Sequence, residues 1–233
     1  MSLLGSVSEV GTAMSRRAEQ PPTERPHDRR VAFIGDSLVA GVGDPTGMGW
    51  VGRVVAASFE MGLPLTAYNL GVRGETSEQV AARWRAETEL RLLRGTDARV
   101  VLSFGANDTT VVDERLRVAT ERSCSALSAI LQDAASLGLP VLMVGPAPVD
   151  DPAHNERILS LSGAFADVCE RAGAAFVSVV EPLLASRVWM AQIAAGDGAH
   201  PAADGYTILA DLVLATGWPD FLAPPRQATP RPV

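Results

Sequence analysis

The chain contains no lysine, and all 20 of its basic residues are arginines. This absence excludes mechanisms that require a lysine side chain, such as a Walker A phosphate loop, a Schiff base or a Ser–Lys dyad. Histidine and cysteine are also scarce, with three and two residues among 233. Because these residues do not form a cluster at zinc-ligand spacing, we expect neither a metal nor another cofactor.

An excess of basic charge and long apolar runs are lacking as well. The 27 acidic residues outnumber the basic ones and give a net charge of −7, which argues against nucleic acid as a partner. No stretch approaches the roughly 18 apolar residues of a membrane-spanning helix. We therefore expect no transmembrane segment.

Two features bear on localisation. The N-terminal sequence lacks the charged start and the apolar run of a signal peptide. Cys124 and Cys169 are most simply interpreted as buried free thiols in a reducing compartment. We therefore expect a cytoplasmic protein, unless a leader is missing from this sequence.

The sequence is organised as one domain between two irregular ends. Its composition predicts a flexible tail over residues 1–30 and a Pro-rich tail over residues 223–233. Between them, short β-branched apolar runs alternate with segments of helical pattern, which predicts an α/β sandwich with a mostly parallel sheet. The predicted strands are Val31–Asp36, Leu65–Leu70, Arg99–Phe104, Pro140–Gly145 and Ala174–Val180. The predicted helices are Trp50–Met61, Ser77–Leu93, Val112–Leu137, Glu156–Ala172 and Ala203–Thr216.

The first strand leads directly into a candidate nucleophile, Ser37. In such sheets, ligands bind beyond the carboxyl ends of the strands. A serine at this point exposes its Oγ, and the N–H groups of a following helix can bind an oxyanion. The alternative is a serine that merely caps the turn. A nucleotide-binding loop is disfavoured, because Thr46 stands where GxGxxG spacing requires a third glycine.

Two further strand ends offer hydrogen-bond donors. Gly71 ends the second strand region, and a ligand can approach its backbone N–H closely, although an ordinary turn accounts for it equally. Asn107 follows the third strand, where its side-chain amide can face the same crevice or form an Asx turn. Both residues are candidate oxyanion donors.

A loop near the C-terminus supplies a candidate general base. Asp197 precedes His200 by three residues, so the carboxylate can hold the imidazole Nδ1–H while Nε2 faces the serine. His154 lies in the segment DPAH and forms a rival Asp–His pair, or belongs to the rim of a pocket. By position, His200 is the preferred base.

Four short blocks, in this order, resemble those of the SGNH or GDSL hydrolases: GDSL at 35–38, NLGVRGET at 69–76, GAND at 105–108 and DGAHP at 197–201. The resemblance covers residues 31–217, within a predicted domain of residues 31–222. It implies a three-layer, flavodoxin-like α/β/α sandwich with a five-stranded parallel sheet. It also implies a catalytic triad and an oxyanion hole, the latter formed by two backbone N–H groups and one side chain. The triad is Ser37, His200 and Asp197, and the oxyanion donors are Ser37, Gly71 and Asn107.

The implied reaction is hydrolysis of a small-molecule ester through an acyl-enzyme on Ser37. The absence of an apolar lid insertion favours short acyl groups. An acyltransferase that uses the same residues is the runner-up, and a carbohydrate acetylesterase or a thioesterase also lies within the family's range. A non-catalytic binding module is a third class, which the complete set of site residues argues against.

Four residues are candidate substrate contacts: Asp36, Trp50, Arg73 and His154. Trp50 and Trp189 can instead anchor helices to the core, the commoner role of a tryptophan. Arg73 can meet an anionic substrate, but we favour its pairing with Asp108 or Glu75.

Overall fold

The computed structural model describes residues 28–223. The tail predicted over 1–30, apart from its last three residues, and the Pro-rich segment after Ala223 lie outside this range. Strand β1 (Arg29–Gly35) begins earlier than predicted. The Arg29 side chain donates to Asp97 Oδ2 over 3.0 Å and to the Leu222 carbonyl over 3.1 Å. These polar contacts extend the strand beyond the apolar run on which the prediction relied.

Five parallel strands form the central sheet, which confirms the predicted α/β class. Gly35 of β1 lies opposite Gly71 and opposite Ser103 on the two neighbouring strands, so the carboxyl ends are level. The loops that carry the predicted site residues therefore open at one edge of the sheet. Across the sheet the strands are β2 (Thr66–Gly71), β1, β3 (Asp97–Ser103), β6 (Val141–Val144) and β7 (Ala175–Val177).

Helices cover both faces of the sheet and complete the three layers. Alternate residues of β1 point to opposite faces, so Val31 and Phe33 belong to one core cluster and Ala32 and Ile34 to the other. The first cluster includes residues of α1 (Ser37–Ala40), α2 (Gly49–Glu60), α6 (Val180–Ala185), α7 (Arg187–Ala195), α8 (Ala203–Thr216) and α9 (Trp218–Leu222). The second includes residues of α3 (Ser77–Glu89), α4 (Thr120–Ser136) and α5 (Pro152–Ala172).

One predicted helix is partly wrong. The segment predicted as helix from Val112 begins with a hairpin of β4 (Val111–Val112) and β5 (Arg115–Leu116), and α4 begins only at Thr120. The two turn residues, Asp113 and Glu114, have φ angles of 49° and 61°, which suit a two-residue hairpin turn. Both hairpin valines are exposed. Their apolar character therefore does not mark the buried face of a helix.

The end of the domain contains helices that the sequence pattern did not predict. The last strand is shorter than the predicted Ala174–Val180, since Val180 already begins α6. Helices α7 and α9 also lie outside the predicted elements, whereas α8 coincides with its prediction. Both α6 and α9 have six residues or fewer. Segments this short do not show a helical period clearly.

Within residues 28–223, no helix is both long and apolar enough to cross a membrane. The same part of the chain contains no group of three or more His, Cys, Asp or Glu residues arranged to hold a metal ion. Cys124 and Cys169 are free thiols. Burial raises the pKa of Cys169 to about 12, so this thiol stays protonated at neutral pH.

Candidate active site

Ser37, His200 and Asp197 form a continuous hydrogen-bonded chain. His200 Nε2 lies 2.7 Å from Ser37 Oγ, and His200 Nδ1 lies 2.7 Å from Asp197 Oδ2. Ser37 is the first residue of α1, directly beyond β1, and Asp36 caps this helix by accepting the N–H of Leu38. The strand thus delivers the serine to the carboxyl edge of the sheet, and the loop before α8 brings the histidine to it.

The Asp197 loop is built to orient the histidine. Asp197 Oδ1 accepts the backbone N–H groups of Ala199 and His200, while Oδ2 accepts the imidazole. Burial pushes the pKa of Asp197 upward, but the hydrogen bonds from His200 and from the two backbone N–H groups outweigh it and lower the pKa to about 2. At neutral pH the group is therefore a carboxylate. A carboxylate in this place favours the tautomer of His200 whose Nδ1 carries the proton, leaving Nε2 free to accept one.

Close packing against the histidine loop explains Gly43. This residue has a φ of +89°, and a Cβ there would lie 2.8 Å from the Pro201 carbonyl and 3.0 Å from the His200 Cβ. A side chain would push the base away from Ser37. Gly43 is therefore explained by its contact with the loop that carries His200 rather than by a nucleotide.

The candidate oxyanion donors lie in different environments. The Ser37 N–H meets no acceptor within the described range. Asn107 Nδ2 donates to the Glu75 carbonyl over 2.9 Å and to Asp36 Oδ2 over a longer 3.3 Å. Thus the Ser37 N–H is free to bind an oxyanion, and Asn107 can redirect its longer hydrogen bond from Asp36 to an oxyanion.

The Gly71 N–H is already used, since it donates to Asn69 Oδ1 over 3.1 Å. A glycine is needed at position 71 because a Cβ there would lie 2.2 Å from the Ala40 backbone nitrogen. Gly74, which was not predicted as an oxyanion donor, has a φ of +81°. The Gly74 N–H meets no acceptor within residues 28–223. The carbonyl of the next residue, Glu75, accepts a hydrogen bond from the Asn107 side chain. The sequence signal for Gly74 is that NLGVRGET, at residues 69–76, contains a second glycine after Gly71.

A cavity of about 300 Å³ opens over the triad. Ser37, Asn107 and His200 line it on one side, and Thr110, Asp150 and His154 contribute polar groups to its wall. In the part of the chain that the structure describes, no arginine lines this cavity. The acidic side chains that line it, Asp150, Asp151 and Asp197 among them, give the wall negative charge beside apolar residues such as Leu38 and Val149.

The predicted contact at Trp50 is wrong. Trp50 is 0% exposed and packs its ring edge-on against Phe33, with the centroids 5.8 Å apart. Trp189 is also fully buried, and its indole N–H donates to the Pro148 carbonyl over 3.2 Å. Both tryptophans anchor helices to the core, the alternative that the sequence left open.

The favoured partners of Arg73 are also wrong. Its guanidinium lies 3.4 Å from Asp197 Oδ2. Glu75 pairs instead with Arg83, and Asp108 is buried against the Ser77 and Ser123 hydroxyls. A single sequence cannot tell which of several nearby opposite charges will meet.

Arg83 supports the edge on which the site stands. Its guanidinium donates to the Gly35 carbonyl over 3.1 Å and to the Leu70 carbonyl over 2.8 Å, while its Nε donates to Glu75. It thereby joins the ends of β1 and β2 just behind Ser37. No motif in the sequence pointed to this arginine, because its role depends on three segments that meet only in the fold.

His154 and Asp36 lie at the cavity but are engaged by protein groups. The Nε2 atom of His154 is 2.9 Å from Thr109 Oγ1 and 3.0 Å from the Ala106 carbonyl. Asp151 accepts the backbone N–H of His154 rather than its ring, so the DPAH segment does not form a catalytic Asp–His pair. Burial lowers the pKa of His154, which keeps it neutral. Asp36 is 3% exposed, and both of its carboxylate oxygens accept hydrogen bonds.

A serine hydrogen-bonded to a histidine, which is hydrogen-bonded to an aspartate, is the arrangement of a hydrolase site. Here it lies at the carboxyl edge of an α/β/α sandwich. Residues 33–208 match the model of the GDSL-like lipase/acylhydrolase family. The chain therefore belongs to this family, whose members are hydrolases that act on carboxylic esters.

Solved structures of similar fold support the assignment of the architecture. A lipase/acylhydrolase from Enterococcus faecalis superposes with a TM-score of 0.64 at 22% identity, over 80% of this chain and 93% of that one. LAE5, an alpha/beta hydrolase enzyme from the metagenome of Lake Arreo, gives 0.67 at 23%, over 82% and 95%. Axe2, an acetylxylan esterase from Geobacillus stearothermophilus, gives 0.66 at 20%, over 81% and 94%. The three-layer sandwich is thereby confirmed.

A sequence relative is the uncharacterized protein YpmR of Bacillus subtilis (strain 168), 27% identical over 108 residues. The match spans 46% of this chain and 42% of that protein.

Proposed function

We propose that the protein is a serine ester hydrolase that forms an acyl-enzyme on Ser37 and cleaves esters of small or short-chain acyl groups. The observation that carries the proposal is the 2.7 Å contact between His200 Nε2 and Ser37 Oγ, with Asp197 on the other ring nitrogen. A general base within hydrogen-bond reach of a serine, itself oriented by a third group, is the geometry that activates a hydroxyl.

The reaction proceeds in two half-reactions. His200 takes the Ser37 hydroxyl proton as Oγ attacks the ester carbonyl, and Asp197 stabilises the resulting imidazolium. His200 then protonates the leaving alkoxide, which departs as the alcohol and leaves an acyl-Ser37 ester. In the second half-reaction His200 deprotonates water, which attacks this ester and releases the carboxylic acid and free Ser37.

The negative charge on the carbonyl oxygen needs donors near Ser37. We assign the Ser37 N–H and the Asn107 amide to this role, as predicted from the sequence. Gly71 remains the predicted third donor only if Asn69 releases its N–H. The N–H of Gly74 has no such competitor, and we propose it as the third donor instead.

The test compares hydrolysis of p-nitrophenyl esters from acetate to laurate by wild type, Ser37→Ala and a matched control. Ser125→Ala is that control, because Ser125 lies exposed on α4 and donates only to the Glu121 carbonyl. We expect activity on short chains that is lost in Ser37→Ala and unchanged in Ser125→Ala. A fluorophosphonate should label wild type at Ser37. Equal hydrolysis by wild type and Ser37→Ala would overturn the proposal.

Esters of hydroxyl-rich alcohols, such as acetylated sugars, are the substrates that the cavity wall favours within this function. Asp150 and Asp151 are exposed at the cavity, where their carboxylates can accept hydrogen bonds from hydroxyl groups. Axe2, a neighbour of similar fold, is an acetylxylan esterase. In a comparison of acetylated xylose with p-nitrophenyl acetate, Asp150→Ala should raise KM for the sugar ester alone. An equal change for both substrates would contradict this preference.

An acyltransferase on the same residues differs only in the acceptor of the acyl group. Addition of ethanol to the ester assay distinguishes the two activities, since a transferase yields the ethyl ester. A thioesterase acting on coenzyme A derivatives is less favoured, because the aspartates at the cavity oppose an anionic substrate.

A further inference from the structure

Asp36, the residue before the proposed nucleophile, is a buried carboxylate whose two oxygens have separate tasks. Oδ1 accepts the N–H of Leu38 over 3.0 Å and caps α1. Oδ2 accepts the side-chain amide of Asn107 over 3.3 Å. Asp36 lines the cavity but has only 3% of its surface exposed and both oxygens engaged, so it has little surface to offer a substrate, and the contact stays a prediction.

The Asn107 amide is held from two sides. Nδ2 lies 2.9 Å from the Glu75 carbonyl oxygen and 3.3 Å from Asp36 Oδ2. If the amide turned over, its Oδ1 would take the place of Nδ2 and face two oxygen acceptors, which is repulsive. The two acceptors therefore determine that nitrogen, not oxygen, occupies this position beside Ser37.

We propose that Asp36 is a positioning residue that orients the Asn107 amide as a donor to the oxyanion. This inference rests on the proposed function, in which Asn107 binds the oxyanion. The longer 3.3 Å contact is the one that an oxyanion can share, while the Glu75 carbonyl keeps the amide in place. Asp36 thus links two parts of the site, the helix that carries Ser37 and the amide opposite it.

The hydrogen bond between Asp36 and Asn107 lies in surroundings that exclude most water, since Asp36 is buried. Burial, together with the nearby carboxylates of Asp108 and Glu75, raises the pKa of Asp36 to about 7, against the hydrogen bond from Leu38. When protonated, a carboxyl group also donates a hydrogen bond, whereas the ionised form only accepts. Asp36 therefore determines the orientation of the Asn107 amide in its ionised form.

A double-mutant cycle tests whether Asp36 acts through Asn107. In Asp36→Asn, one amide oxygen can serve Leu38 or Asn107 but not both. We expect kcat to fall about 10-fold when Asn107 is present, with KM changed by less than about 3-fold. In the Asn107→Ala background the same substitution should change kcat by less than about 3-fold, because no amide remains to be oriented. Equal losses in both backgrounds would overturn the proposal.

Asp36→Ser provides a second variant, independent of how well Asp36→Asn folds. Serine is a good N-cap residue, so it can keep the cap on Leu38 while its short side chain does not reach Asn107. As for Asp36→Asn, we expect Asp36→Ser to lower kcat when Asn107 is present and to change kcat little in the Asn107→Ala background. Asp44→Asn is the matched control, since Asp44 is a buried aspartate of the next loop that bonds Arg53 and Thr46 rather than Asn107. Its effect on kcat should be the same in both backgrounds.

The outcomes separate this inference from the proposed function. Full activity in Ser37→Ala contradicts the serine mechanism itself. Loss of activity in Ser37→Ala with full activity in Asn107→Ala keeps the mechanism but overturns the roles of Asn107 and Asp36. If both variants are impaired and Asp36→Asn is additive with Asn107→Ala, only the positioning role of Asp36 falls.

Discussion

Arg73 and His200 share one oxygen of Asp197. Arg73 Nη2 lies 3.4 Å from Oδ2, and His200 Nδ1 lies 2.7 Å from the same atom. The side chains of Arg73 and Asp197 are 65% and 46% exposed, so solvent screens the ion pair while the shorter bond to the histidine persists. We therefore expect the arginine to be an accessory to the proposed triad rather than a member of it.

Arg73→Ala should accordingly change kcat by less than about 3-fold. The small effect should diminish further in about 0.5 M salt, because salt screens exposed charges. Steady-state kinetics at low and high salt check this expectation. Arg85→Ala serves as the control, because Arg85 forms an exposed ion pair with Glu89 on α3. A loss of 100-fold or so would show that Arg73 belongs to the catalytic machinery.

Asp197→Asn should lower kcat by about 10⁴-fold, as expected when the group that orients a catalytic histidine is neutralised. An asparagine can present an N–H to the imidazole and so favour the wrong tautomer. The stability of the fold should change little, because Asp197 is half exposed. Single-turnover kinetics together with thermal unfolding separate the two effects. Activity close to wild type would remove Asp197 from the triad.

Asn107→Ala should lower kcat by about 100-fold or more, the usual cost of removing one oxyanion donor. KM should change much less, because the amide interacts most strongly with the charged transition state. Kinetics on p-nitrophenyl acetate measure both constants. A variant within a factor of about three of wild type would exclude Asn107 from the oxyanion site.

Trp50 should matter for stability and not for substrate binding, given its complete burial against Phe33. Trp50→Ala should lower the free energy of unfolding by about 3–5 kcal/mol. Trp50→Phe should retain the KM of wild type for short esters. Urea denaturation and ester kinetics address the two statements separately, and a raised KM in a stably folded Trp50→Phe would restore the predicted substrate contact.

The loop before α2 should contribute stability that depends on pH. Burial of Asp44 pushes its pKa up, but hydrogen bonds from Arg53, from Thr46 and from the Gly49 N–H lower the pKa from 3.8 to about 2. A carboxyl with a lowered pKa in the folded state stabilises the fold above its unfolded pKa, and this stabilisation is lost as the pH falls toward 2.

Asp44→Asn should therefore reduce the free energy of unfolding by about 2 kcal/mol at pH 6 and by about 1 kcal/mol at pH 3. Other carboxylates titrate equally in both proteins and cancel in the difference. Urea denaturation of wild type and variant at the two pH values provides the measurement. A difference that stays constant or grows in acid would contradict the assigned shift.

Local patterns in the sequence were sufficient to predict the elements whose side chains show a clear period. The strand carrying Val31 to Ile34 is buried on both faces, so its apolar run is continuous, and α8 coincides with its prediction. The hairpin at Val111 to Leu116 was mistaken for helix, because its exposed valines carry no burial signal. Its turn depends on positive φ angles at Asp113 and Glu114. Neither residue is a glycine, so the sequence does not signal this conformation.

The order of the motifs and the apolar patterns along the chain is sufficient to predict the class of fold and the chemical types in the candidate site. Ser37 and Asn107 follow parallel strands, whose carboxyl ends lie at one edge of the sheet. Asp197 and His200 lie in the loop between two helices, α7 and α8, and this loop meets the edge only in the fold. Which groups meet one another depends instead on how distant segments pack in the fold. Trp50 turned into the core, Arg73 met Asp197, and the Gly71 N–H went to Asn69. Hydrogen bonds and ion pairs act over only a few ångströms, and no local sequence pattern shows which distant segments come that close.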